Sequence, residues 1–123
     1  TEPIQEQLIG IGTAMIQVMR RVVPCMAMLH AAGLGGGDQE NHESKPSIRV
    51  RILLVKWFQD AIDANRIRAA DPHILAVGFL GMLHERPFRE IIVGDTDLEC
   101  SDQEYVTQLV GSLFQGLTIP EES

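Results

Sequence analysis

Cysteine is scarce in this chain: Cys25 and Cys100 are the only two in 123 residues. Two are too few for the disulfide framework that holds small secreted domains together. Cys25 lies in the apolar stretch VVPCMAML and reads as a small buried hydrophobe, so two free thiols in a reducing cytoplasm are expected. Positive charge is also in short supply, with 10 Lys and Arg against 17 Asp and Glu and a net charge of −7. A duplex-binding face needs clustered basic residues to displace counterions from phosphates. Here they only thicken at Arg20-Arg21, between Lys45 and Lys56, and at Arg66 to Arg68, so this polypeptide by itself is a poor nucleic-acid binder. No uninterrupted apolar run reaches the ~18 residues that cross a bilayer, and no signal peptide opens the chain, so no membrane partner is expected.

Catalytic signatures are missing too. His84-Glu85 does not extend to H-E-x-x-H, because position 88 is Phe, and the zinc reading fails. There is no G-x-S-x-G elbow and no C-x-x-C. GLGGGD lacks both the following Lys-Ser/Thr and a preceding strand, so it is not a phosphate loop. Asp38, Glu40, His42 and Glu43 place metal-type donors in one glycine-rich connection, which reads as a solvated acidic loop. No enzyme activity, cofactor or metal is expected. Alternation of period two is confined to RVRILLV, too short to argue for a sheet.

What remains is helical periodicity in one domain, residues 1–123, of ordinary globular composition, 45% hydrophobic and 22% charged. Thr1 can cap a first helix carrying Ile4, Leu8, Ile11, Met15, Val18, Met19 and Val22 at helical spacing. Pro24 should break or kink it near Val23, leaving a short second helix, CMAMLHAA, that stops at Gly33. Pro46 suits the first turn of the next helix. Its apolar residues cover more than half the circumference, which predicts a central helix. Asp71-Pro72 supplies an N-cap and a first helical position, and that helix runs until Pro87 disturbs it. After a polar loop, Ser101 and Glu104 match a capping box ahead of the last helix. The expectation is an all-α bundle of five to six helices.

Gly78 and Gly81 sit three apart inside an apolar helix, DPHILAVGFLGMLHER, at about 1 kcal/mol each relative to alanine. Small residues let helix axes approach closer than the usual 8–10 Å. Either a second copy of the chain packs there, or a bulky internal neighbour such as Trp57 or Phe58 does.

The segment WFQDAIDANRIRAADPHILAVGFLGMLHE resembles the C-terminal domain of tetracycline-repressor (TetR) family transcriptional regulators. The likeness is carried by A-x-x-R-I-R at Ala64 to Arg68, the "ADP" restart at Ala70 to Pro72, and I-L-A-x-x-F-L-G-M-L at Ile74 to Leu83. A final helix, DQEYVTQLVGSLFQGL, follows. Regulators of this family carry an N-terminal helix-turn-helix. This chain, which starts at Thr1 without a methionine, opens on what looks like the linking helix. The resemblance therefore implies the effector-binding and dimerisation domain of a bacterial, cytoplasmic regulator, with DNA read only through the missing head. It implies a homodimer in which the last two long helices of each subunit form a four-helix bundle. The interface would use Val77, Gly78, Gly81, Leu109, Gly111, Leu113, Phe114 and Leu117.

Its effector would be a small apolar or amphipathic molecule held between helices. Candidate lining residues are Met15, Met19, Met26, Trp57, Phe58 and Phe79, with His30 and His84 as isolated polar groups in apolar surroundings. Methionines can equally be core filling, and such histidines are often bonded to backbone. A helical protein-interaction module with a solid core and no ligand is the alternative.

Overall fold

A computed structural model describes residues 3–33, 46–94 and 98–116, and all its regular elements are helical. They are α1 (Ile4–Ala31), α2 (Pro46–Asp63), α3 (Pro72–Phe88), a π-helical turn (Arg89–Val93) and α4 (Asp102–Gln115). Among the described residues four α-helices stand, where five to six were expected for the chain; the two expected N-terminal segments are one. α1 continues through Pro24 for 28 residues. The proline removes one amide bond, to the carbonyl four residues earlier, while continuing the helix keeps every bond of the turns beyond it. Gly33 then ends the run as expected, in the left-handed region with φ 76°.

Pro87 has a different effect. It is buried inside α3, and directly after it the backbone widens into the π-helical turn, closed by the Gly94 amide on the Arg89 carbonyl at 2.8 Å. Such a bulge accommodates an interrupted bonding ladder without ending the helix.

The expected starts of α3 and α4 are in place. The Asp71 carboxylate accepts from the His73 amide at 2.9 Å, with Pro72 at the first helical position. Ser101 Oγ accepts from the Glu104 amide at 3.1 Å, and its hydroxyl donates to the Glu104 carboxylate at 3.1 Å.

The core joins one stripe from each helix: Leu8 and Ile16 of α1, Leu54 and Phe58 of α2, Ala76, Phe79 and Leu83 of α3, and Val106 and Val110 of α4. α1 packs against both α3 and α4, whereas α2 packs chiefly against α3. The expectation that α2 is central is therefore corrected. Of its described side chains it buries Leu54, Phe58 and Ala61, while Ile52 and Leu53 stay 56% and 66% exposed. α1 takes the centre because Gly12 lets α3 and α4 come close; a Cβ there would lie 2.8 Å from Val106 Cγ1 and 3.0 Å from Phe79 Cζ. α1 is also long and apolar enough by composition to cross a bilayer, at a mean hydropathy of 1.2, but in this fold its buried stripe faces α3 and α4. Cys25 is exposed, not buried, since the last turns of α1 run past the helices that cover its first half.

Candidate functional site

Gly78 and Gly81 lie on the outward face of α3. A Cβ on either would meet nothing within 4 Å, so neither seats Trp57, Phe58 or any other side chain among the described residues. Around them the same face carries Ile74 at 69% and Val77 at 45% exposure, with exposed His84 and Phe88 one to two turns on. The His84 and Phe88 rings face each other at 5.6 Å. Ala76, Phe79 and Leu83 point the opposite way, into the core. This is a glycine-notched face that no other described residue covers.

The α4 residues expected at an interface lie differently. Leu109, Leu113 and Phe114 pack half-buried against the chain's own core. The outward face of α4 presents Glu104, Gln108, Ser112 and Gln115, with Gly111 between them and open space around it. Leu117 lies outside the described residues, as does the acidic loop with Asp38, Glu40, His42 and Glu43.

The described structure places the expected effector residues in the core, half-buried beside it and on the surface. Phe58 and Phe79 are core residues in edge-to-face contact at 6.4 Å, and Trp57 stands edge-on to Phe58 at 5.2 Å. Met15 and Met19 pack half-buried against the same core. Met26 and His30 lie exposed near the end of α1, and His84 lies exposed on α3. Of the eight, only Phe58 lines a described cleft. That cleft, of about 310 Å³, is open to solvent and formed by Phe58, Leu75, Leu113 and Phe114 with the loop residues Arg66 to Ala70. A shallower groove between α1 and α4 is lined by Glu6, Ile9, Thr13, Gln17, Gln103 and Thr107.

The strongest polar constellation was not foreseen from the sequence. Arg20 of α1 makes a paired contact with Asp102, Nη1 to Oδ2 and Nη2 to Oδ1 both at 2.8 Å. It also reaches Glu90 of the π-helical turn, Nε to Oε2 at 2.9 Å. Arg86 of α3 donates to the same Asp102 oxygen at 2.9 Å and to the Cys100 carbonyl, and lies over the Tyr105 ring at 5.2 Å. The Tyr105 hydroxyl donates to the Met82 carbonyl at 2.6 Å. Hydrogen bonds from Arg20 hold the Asp102 carboxyl below its ordinary value of 3.8. Burial pushes the Tyr105 hydroxyl above its ordinary 10.0. The network ties α1, α3, the π-helical turn and α4 together. Its four charged members pair with one another, so the network fastens these elements together.

Among the described residues, no group of three or more His, Cys, Asp and Glu could hold a metal ion. No family model, curated protein or solved structure matches the chain.

Proposed function

We propose that this chain is the ligand-sensing and dimerisation domain of a bacterial, cytoplasmic regulator resembling the tetracycline-repressor family. DNA binding would belong to a segment outside this sequence. The observation that carries the reading is the outward face of α3, where Gly78 and Gly81 follow the exposed Ile74 and Val77 and have no side-chain neighbour among the described residues. Glycines placed that way in a helix lower its stability unless a partner uses the space. A two-fold contact presents the same patch from both copies, so one notch serves twice. In this proposal α3 pairs with its mate through Val77, Gly78 and Gly81, and α4 lies at the edge of the interface. Effector binding alters regulation only by favouring one dimer geometry over another.

Light scattering after gel filtration tests the reading. The mass expected at micromolar concentration is about twice the 13.6 kDa of one chain. A single-chain mass at every accessible concentration rejects it.

A second reading is favoured by a specific contact. The edge-to-face packing of Phe58 on Phe79 fills the region expected to hold an effector, which supports a solid-core interaction module. Thermal melts separate the two: a ligand at 100 times its dissociation constant adds ~2.7 kcal/mol of stability, whereas a solid core gains nothing from any small molecule.

A further inference from the structure

The side of α2 opposite its buried Leu54, Phe58 and Ala61 carries one stripe. Arg49, Ile52, Leu53, Lys56, Asp60 and Asp63 recur at steps of three and four residues, and all six are exposed. Ile52 and Leu53 each keep more than half of their surface in solvent. Charge changes sign along the stripe. Arg49 and Lys56 flank the two apolar residues in the first part, and Asp60 and Asp63 follow in the last turns. Arg49 has no ion pair among the described residues. Lys56 Nζ reaches Asp60 Oδ2 at 3.2 Å, an exposed contact within one helix of the kind that adds little stability in water. A carboxylate has two oxygens, so Asp60 can accept from a second cation. Asp63 accepts from the Gln59 amide at 2.8 Å through Oδ1.

We propose that this stripe pairs antiparallel with the same stripe of a second copy of the chain, across a two-fold axis. A helix face whose charge reverses along its length complements itself when turned end for end, and repels itself when parallel. The charges also choose the register. With the axis crossing between Leu53 and Lys56, Arg49 of each copy meets Asp60 of the other, and Leu53 packs on the aliphatic stem of Lys56. Asp63 then comes beside the first turn of the opposite α2, the positive end of that helix. Sliding the copies until Ile52 meets Leu53 would set Arg49 against Lys56, like charge on like. This contact goes beyond the pairing proposed through α3 and does not rest on it. Two different two-fold contacts on one chain join dimers into larger assemblies. One helix per copy covers less than the ~1,200 Å² of stable interfaces, so the dissociation constant is on the order of 0.1–1 mM.

The test is a charge swap, read by sedimentation of the full chain up to about 1 mM. Arg49→Glu should weaken the association at high concentration at least about tenfold, because the two-fold axis doubles each lost pair. Asp60→Arg should do the same, and the two together should restore the wild-type affinity to within about threefold. All the altered side chains are exposed, so the melting temperature should hold. The Gly81→Leu background separates this contact from the α3 pairing: association at high concentration should persist there and disappear when Arg49→Glu is added. A wild-type chain that associates only through Arg49 and Asp60 supports the α2 contact and rejects the α3 pairing alone. Masses unaffected by Arg49→Glu, or a double variant as weak as either single one, overturn the α2 contact. So does binding to phosphatidylglycerol vesicles that Arg49→Glu abolishes while the masses stay unchanged, which would assign the stripe to a lipid surface.

Discussion

A methyl group added at Gly12 would sit 2.8 Å from Val106 Cγ1, while at Gly78 and Gly81 it would touch nothing within 4 Å. The same residue type thus has opposite meanings at these positions. Gly12→Ala should destabilise the fold by about 1–3 kcal/mol through overpacking. Gly78→Ala should raise the stability of the isolated chain by up to about 1 kcal/mol through helix propensity. Urea denaturation at low protein concentration measures both, and a neutral Gly12→Ala would mean that α1 does not approach α3 and α4 so closely. Asp102 makes a prediction of its own. Its carboxyl is held below its ordinary value of 3.8 by Arg20, so the folded state prefers the ionised form. That stability is present above the ordinary value and is lost as pH falls through the lower folded value. Asp102→Asn should cost about 1–3 kcal/mol at neutral pH and flatten the acid limb of the pH–stability curve. An unchanged acid limb would show that the carboxylate is not held by Arg20.

At the scale of elements, signals confined to a few neighbouring residues were legible in the sequence. Asp71-Pro72, Ser101 with Glu104, Gly33 and Pro46 mark helix ends because each acts on bonds within one turn. Pro24 was misread because its effect depends on competition: a single lost bond against the whole helical run from Cys25 to Ala31. Pro24→Ala should therefore strengthen the end of α1, slowing amide exchange over residues 25–31 and raising stability by roughly 1–3 kcal/mol. Unchanged exchange there would mean that the proline costs α1 nothing. The π-helical turn after Pro87 could not be read from composition, since any of several distortions answers a proline. The centrality of α2 was misjudged for a related reason. Apolar residues around a helix state what could be buried, and only tertiary neighbours decide what is.

For the whole molecule, the all-helical class followed from periodicity, and the outward glycine notch was visible as an anomaly before its surroundings were known. The cleft and the Arg20–Asp102–Arg86–Glu90 network were not visible. Their members are far apart in sequence, 82 residues for Arg20 and Asp102, and a charged residue in a helix looks the same whether solvated or paired. Of the expected effector residues, Phe58 and Phe79 pack in the core while Met26, His30 and His84 lie exposed, a division that helical spacing alone does not reveal. Among the described residues, one face of α3 exposes Ile74, Val77 and two glycines, beside other exposed apolar residues such as Met28 of α1 and Leu53 of α2. Sedimentation equilibrium of the chain beside Gly81→Leu decides whether this face of α3 joins two copies. The expected result is a dimer whose dissociation constant rises at least about tenfold with the leucine, or ~1.4 kcal/mol of association. A chain that stays monomeric, or a dimer that the leucine leaves unchanged, would contradict it.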